Sequence, residues 1–574
     1  MDQEWFGQKR GQEMSLNLKH GLWKSCMYNP ISGELLEYMP FRPKAKRKSI
    51  LTISPFIPNP ENLPNLNQAM KYPSILFLFL NAFMAASVVH GEDWPVWGKD
   101  GTRNMVSTET GLTLEFDPGK MLEDEVVDMK TTQNVKWVAK LGSQAYGNVT
   151  IGEGKVLVGT NNESNRDPKK QGDRGVVICL DEKTGAFDWQ LVIPKLGAGK
   201  VSDWEYIGVC SSPAIENGRA YVVTNRCEVV CLDLSGFKNG NDGPYTEEES
   251  YVRPKGSLDS LNLKLDADII WRYDMRDELG VFPHNVTSSS ALIVEDRLFV
   301  ATSNGVDWSH TNIPSPLSPS WIALDKNTGE LIGEDGSGAS KHALHAAWSS
   351  LTYGKIDGQE LLFWGGTDGF LYVYPNKTEQ DEEGFDLFLP LWKVDCNEPT
   401  YRKDKEGREI PYATPPGPSE LIATPVLYQD KIYCSIGQDP EHGDGVGRLS
   451  CMNAKTGEVI WKNTDIGRTI STPSIADGLV YQAEYAGILH CLDAETGEVY
   501  WTYDSYSRIW GSTLLVDGKV LLGNEDGDLL IFDHGKEKPE PKTINLGAPI
   551  YSSPVVSNQT LYVATQTHLY AIGK

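Results

Sequence analysis

Five histidines carry most of the chemistry open to this sequence. His284, His310, His342, His345 and His442 stand in the stretches GVFPHNVT, GVDWSHTNIPSP, SKHALHAAW and GQDPEHGDG. Asp307, Trp308, Trp348, Asp439, Glu441 and Asp444 stand beside them. Imidazole with carboxylate can hold a transition-metal ion or move protons near neutral pH. The plainer alternative is that each imidazole only bonds loop backbone. The chain has no Ser-His-Asp or H-E-x-x-H spacing, so no catalytic residue is named. Its nine cysteines include no C-x-x-C pair and no metal-type spacing. Cys210 and Cys227 are a candidate disulfide.

The elements that must position these histidines are strands in a repeat. CMNAKTGEVIW ends at Trp461, CLDAETGEVYW at Trp501 and CLDEKTGAFDW at Trp189. Each phrase follows a small polar pair and two runs of alternating apolar residues, as in STPSIADGLVYQA. One unit therefore reads as four short strands, A to D, with a D-x-x-T-G turn between C and D. Units of about 40 residues with four strands each are the signature of a β-propeller. Eight are expected, with A strands beginning near Tyr146, Ser211, Ser288, Ser349, Ala423, Ser471, Gly511 and Ser552. The eighth lacks a D strand, and NVKWVAKLG near residue 137 has that pattern. The fold expected is all-β: an eight-bladed propeller of four-stranded antiparallel blades, the last closed by an N-terminal strand.

The recurring Trp137, Trp189, Trp271, Trp392, Trp461 and Trp501 are expected to dock each blade on its neighbour, because an indole buries a large apolar area. Blade 3, with Ile332 in the Trp position, and blade 7 are expected to dock more loosely. Cys179, Cys231, Cys451 and Cys491 share one slot with Ala323 and Ala571, so the slot wants a small buried side chain. In a propeller the B–C loops and the links between blades share one face. All five histidines fall in such loops, which makes that face the candidate site. Two acidic insertions, about 234–267 and NKTEQDEEGFDLF in blade 4, are expected on the opposite face as solvated surface.

The first ninety residues differ from the rest. Residues 1–69 read as an unstructured extension or a mis-assigned start, and residues 70–91, MKYPSILFLFLNAFMAASVVHG, as a secretory signal peptide beginning at Met70. Residues 92–133 read as an extended segment before the propeller at 134–574. The net charge is −25 although the leader is basic on balance. Such acidity disfavours nucleic acid and anionic membranes as partners. The expectation is an exported, periplasmic or extracellular monomer without a membrane span in its mature form. Its partner would be an envelope or extracellular protein or a small ligand.

Blades with [AC]-L-D-x-x-T-G-x-x-x-W resemble the PQQ-type repeat of quinoprotein alcohol dehydrogenases and of BamB-like propellers. The opening DWPVWGKDGTRNMVSTETGL, with NRCEVVCLD and GQDPEHGDGVG, resembles secreted planctomycete members. The resemblance implies the fold over residues 134–574. It implies PQQ and Ca²⁺ only in part. Asn304, in ATSNGVDW, matches a Ca²⁺-ligating Asn, but no adjacent cysteine pair exists, and GSGASKHALHAAWSS has no carboxylate where the dehydrogenases place an Asp. PQQ or a divalent metal thus remains open with an incomplete pattern. Asn304, Asp307, Trp308, Trp348, Asp439 and Glu441 are the candidate ligand-binding residues, and the five histidines the candidate metal ligands. Two functions follow: a binding or scaffold propeller, and a quinoprotein-like or metal-dependent oxidoreductase.

Overall fold

The computed structural model describes residues 26–28, 35–37, 91–254, 256–412, 414, 416–442 and 445–574. The chain divides into two units, Met1–Met84 and Ala85–Lys574. In the first, Cys26–Tyr28 pairs antiparallel with Leu35–Glu37. The expected leader lies outside the described residues apart from Gly91. Among the described residues no helix is long and apolar enough to cross a membrane.

The second unit is an eight-bladed propeller of antiparallel sheets. Its last blade takes its outer strand from the front of the chain: Val135–Lys140 pairs with His568–Ile572. That closure leaves no open seam in the ring. The docking tryptophans all work alike. Each donates its indole N–H to a carbonyl in the C–D connection of the next blade, Trp137 to Glu182, Trp189 to Leu234, Trp271 to Lys326, Trp392 to Lys455, Trp461 to Ala494 and Trp501 to Gly535. In five of the six contacts, all but that of Trp501, a turn glycine lies against the ring. A Cβ on Gly185 (φ +68°) would stand 2.4 Å from Trp137 Cδ2, so that position needs glycine for both space and conformation.

Blade 3 departs from the sequence reading. The residue across from Ala323, where other blades place Trp, is Gly333 rather than Ile332. Blade 4 sends a hairpin, Glu379–Gln380 with Asp386–Phe388, to pair in parallel with the outer edge of Leu331–Asp335. The acidic insertion of blade 4 is therefore not merely solvated surface. Phe388 is fully buried against Trp321 and Phe299 at ring distances of 5.0 and 5.8 Å. A Cβ on Gly333 would meet that hairpin at 2.7–3.0 Å. Blade 3 docks through a shared strand where its neighbours use an indole.

The insertion at 234–267 also packs. It carries a short helix, Glu248–Tyr251, and buries Tyr251 and Val252. Its Asp259 and Asp266 bond the buried Arg174 and Lys170 of blade 1. Acidic composition read as solvation; the partners are basic side chains distant in sequence. Cys210 and Cys227 are both free, and the Cys227 thiol donates to Thr302 O. The close thiols are Cys396 and Cys434, 3.4 Å apart between blades 4 and 5.

The strands proper begin two to four residues after the small polar pairs, at Thr150, Ala214, Leu292, Thr352, Val426, Ser474, Leu514 and Val555. The pairs form an inner ring. Backbone N–H groups of Asn148, Ser212, Ser290, Thr424, Thr472, Ser512 and Ser553 each donate to the corresponding side-chain oxygen of the next blade, at 2.6–3.1 Å. Thr424 Oγ1 accepts from the Trp97 indole at 3.4 Å.

Trp97 belongs to a segment that crosses the A–B face. Trp94 bridges to Ile151 of blade 1, and Pro95 O accepts from Ile215 of blade 2. Arg103 is fully buried and donates to Leu351 O of blade 4, Ala291 O of blade 3 and Trp97 O. Thr102 O, Asn104 and Met105 O then meet blades 5, 6 and 7 at Leu427, Ile475 and Leu515. Glu109 accepts from Asn558 and Gln559 of blade 8. One stretch of chain thus touches all eight blades.

Candidate functional site

Two residues before each ring residue, one side chain per blade turns to the central channel. Blades 1, 4, 7 and 8 supply Tyr146, Trp348, Trp510 and Tyr551. Blades 2, 3, 5 and 6 supply the smaller Cys210, Ser288, Ile422 and Ile470. They line a cavity of about 330 Å³, with Trp97 at the end closed by the N-terminal segment and Trp204, Asp439 and Glu441 among the loops at the other. One wall is a cluster of rings: Tyr146 stacks on Tyr551 at 4.7 Å, and both pack on Trp510 at 5.7 and 5.5 Å. The Trp510 indole is held by Glu525 at 2.7 Å. The cavity offers planar apolar surface with a few acidic groups at its rim, the pattern of a small-molecule or side-chain pocket.

Four of the five histidines meet beside this cavity. Ring centroids stand 4.3 Å apart for His284 and His345, 4.2 Å for His310 and His442, and 5.0 Å for His284 and His310. Ligand nitrogens of His284, His310 and His345 lie within 4.8 Å of one another. Nε2 of His345 is 3.2 Å from Nε2 of His442. His284 Nδ1 lies 2.6 Å from Val306 O, which fixes its N–H there. Its Nε2 is left as a buried acceptor without a partner among the described residues. Burial, then the neighbouring His345, lowers the His284 pKa to about 2. Burial lowers that of His345 to about 3 and holds His310 and His442 below the ordinary value. All four imidazoles are therefore neutral at pH 7, with lone pairs available.

Three connected loops aim His284, His310 and His345, and His442 comes from a fourth, the turn Pro440–His442. The Asp274 carboxylate caps the short helix Met275–Leu279, Gly280 ends it in the left-handed conformation, and the chain runs on to His284. Asn304 then fastens the loops together. Its Oδ1 accepts from Phe282 N at 3.0 Å, and its Nδ2 donates to Ser315 O at 2.9 Å and Ser340 Oγ at 3.2 Å. Gly305 lets the backbones close up: a Cβ there would lie 2.2 Å from His345 O and 2.9 Å from His284 Cβ. Behind His345, Glu420 Oε1 lies 3.5 Å from Nδ1 and accepts from the Tyr412 hydroxyl at 3.1 Å. Glu420 is fully buried, and burial pushes its pKa up to about 8. Burial also raises the Asp439 carboxyl.

The other residues singled out from the sequence fall in different places. Trp348, Asp439 and Glu441 line the cavity, and the Trp348 ring also packs on His345 at 4.9 Å. Asp307 is taken up by its own turn, accepting from Ser309 N and Asn312 Nδ2. Trp308 is exposed at the rim. His342 is exposed on the turn Ala339–His342, outside the cluster. Asp444 lies outside the described residues. The sequence reading missed Trp97, Tyr146, Trp510, Tyr551, Tyr412 and Glu420. For Tyr146, Trp510 and Tyr551 a signal existed: the residue two before each small polar ring position.

The sequence matches the family described as "Outer membrane protein assembly factor BamB" over residues 124–352 and 391–573, well over half of the chain. The chain belongs to this PQQ-repeat family. Among solved structures it is similar to BamB from Moraxella catarrhalis, with 12% identity and a TM-score of 0.48 over 76% of this chain and 99% of that one. It is also similar to the quinohemoprotein alcohol dehydrogenase of Comamonas testosteroni, with 13% identity and a TM-score of 0.44 over 84% of this chain and 80% of that one. A third similar structure is the computationally designed Ika8 protein, with 10% identity and a TM-score of 0.43 over 77% of this chain and all of that one. No curated protein matches the chain.

The quinone chemistry of some family members does not fit these residues. The Asn304 amide is engaged in three loop contacts, one of them at Oδ1, the atom that would face Ca²⁺. Cys210 borders the cavity without a cysteine partner, and burial pushes its thiol up to about 12. Four neutral imidazoles are a poor donor set for Ca²⁺, which takes oxygen.

Proposed function

We propose that the protein is an exported binding propeller that holds a ligand, or an inserted side chain of an envelope or extracellular partner, in the aromatic cavity on its inter-blade loop face. The observation that carries this reading is the channel's asymmetry: residues 94–109 cover one end, and the other lies among the loops. The leader-like sequence at 70–91 supports export to a periplasmic or extracellular space. The family's assembly-factor description supports a scaffold role. A ring wall with little polar surface favours a planar apolar group, since stacking and burial supply most of the affinity such a site can offer.

The test is retention. Full-length protein is incubated with culture and envelope extracts and examined by native mass spectrometry, beside Trp510→Ala and Tyr551→Ala. A bound species retained by wild type and lost from both variants is expected. Equal retention by all three, or co-purified PQQ with alcohol-dependent dye reduction, would overturn the reading. A second reading, a metal-dependent oxidoreductase, is favoured by the histidine cluster directly behind Trp348.

A further inference from the structure

We infer that His284, His310, His345 and His442 form a binding site for one first-row transition-metal dication of the zinc, copper or nickel class. Three imidazoles from three loops bring ligand nitrogens within 4.8 Å of one another, and His442 from a fourth loop reaches His345 Nε2 at 3.2 Å, which loop backbone bonding alone does not require. His284 Nε2 is the decisive atom. It is fully enclosed, its tautomer is set by Val306 O, and it has no hydrogen-bond donor among the described residues. A buried acceptor in that state is destabilising, a penalty that a metal ion would remove.

The spacing suits tetrahedral ligation. Metal–nitrogen distances of about 2.0–2.1 Å place the nitrogens of a tetrahedron roughly 3.3 Å apart. His345 Nε2 and His442 Nε2 stand at 3.2 Å. Nitrogens of His284, His310 and His345 lie within 4.8 Å of one another and close by up to about 1.5 Å to reach that spacing, while His442 joins them through His345. His310 and His442 are the partly exposed members, on the B–C insertions of blades 3 and 5, and they supply that movement. His284 and His345 are fully enclosed and act as the fixed pair.

The surroundings complete the pattern. Ligating imidazoles commonly point their second nitrogen at a carboxylate or carbonyl. Here His284 Nδ1 faces Val306 O, and His345 Nδ1 faces Glu420. Glu420 and Asp439 are buried carboxyls beside the cluster, Glu420 at 3.5 Å from His345 Nδ1. Imidazole ligands select borderline metals over Ca²⁺ and Mg²⁺. The site adjoins the cavity through Trp348 and Asp439, yet it stands independently of what the cavity binds.

The test uses untagged full-length protein, stripped of metal and titrated separately with Zn²⁺, Co²⁺ and Ca²⁺. One equivalent of Zn²⁺ surviving dialysis is expected, with the intense visible bands of tetrahedral Co²⁺ and no Ca²⁺ uptake. His284→Ala and His345→Ala should each weaken Zn²⁺ binding by at least about 100-fold, and Glu420→Gln by about 10- to 100-fold. His342→Ala, in the same link but exposed, should bind as wild type does. Near-ultraviolet circular dichroism checks folding, and His442→Gln at the surface end of the cluster serves if the buried variants do not fold. Folded wild type that takes up no Zn²⁺ or Co²⁺ would overturn the inference, as would equal loss on changing His342. Neither result depends on the Trp510 and Tyr551 variants, so failure here and failure of the cavity reading are distinguishable.

Discussion

A buried carboxyl next in the chain to Thr367, which bonds the His345 backbone, gives a pH signature of its own. Asp368, in the B–C turn of blade 4, is enclosed and accepts from the Tyr372 hydroxyl at 2.6 Å. Burial raises its pKa to about 6, against about 3.9 in an unfolded chain. Between those values the unfolded state gives up a proton that the fold keeps. Its contribution is therefore complete below about pH 4 and is lost as pH rises through about 6, a change of up to about 3 kcal/mol. Asp368→Asn removes the slope. Urea unfolding at pH 4 and pH 7 should show wild type losing ground to the variant by about 2–3 kcal/mol at the higher pH. An unchanged difference at the two pH values would show that Asp368 does not titrate in this way. Single residues of this kind were the hardest to read from sequence. Asp307 and Asp439 look alike in a string; one is tied into its own turn and the other is buried on the cavity. Burial is a property of the folded ring, so composition could not separate them. The four clustered histidines could be placed on one face, because loop position follows from strand order. His342 could not be told from His345, because a three-residue step in an irregular link carries no fixed direction.

At the scale of elements, docking follows two rules. Six blades dock by an indole, five of them on a glycine, and blade 3 by a strand donated from blade 4; blade 7 has Lys542 in the Trp position. Trp189→Ala should cost about 3–5 kcal/mol, since the ring is almost wholly buried and its N–H is bonded. Trp392→Ala should cost less, because that ring is only half-buried. Phe388→Ala should cost as much as Trp189→Ala, because Phe388 fills the place of an indole between blades 3 and 4. Equilibrium unfolding of the three variants checks the order; a loss under about 1 kcal/mol for Phe388→Ala would restore the looser docking that the sequence implied. The repeat itself was legible because the C–D turn and its Trp recur at a fixed spacing. The donated hairpin was not. Its parallel partner lies about 50 residues away, and its acidic residues mask the one buried apolar side chain, Phe388. Gly333 was the available clue: a glycine in the Trp position marks a place where another backbone comes close.

For the whole molecule, the decisive element is the segment that crosses the A–B face. In a repeat protein each unit contacts only its neighbours, so stability is a sum of units and interfaces, and partial unfolding is cheap. The segment from Trp94 to Glu109 changes that. It bonds every blade, and Arg103 at its centre, with its three backbone carbonyl acceptors, couples blades 3 and 4 to the strand that ends at blade 8. Burial lowers the Arg103 pKa to about 10, which still leaves it charged at pH 7. A charge kept from water and held by carbonyls alone is stable only while all of them stay in place. Loss of any one blade thus weakens the anchor of the others. Wild type should therefore unfold in a single cooperative transition, with calorimetric and van't Hoff enthalpies in agreement. Replacing Trp94, Trp97 and Arg103 together with Ala should lower the melting temperature and split the transition, with fluorescence and far-ultraviolet probes no longer coincident. It should also open the channel at both ends, so that acrylamide reaches Trp348 and Trp510 more readily in the still-folded protein. A variant that melts in one step at the wild-type temperature would mean that the ring closes without this segment. The asymmetry of the cavity would then have to come from the loops alone.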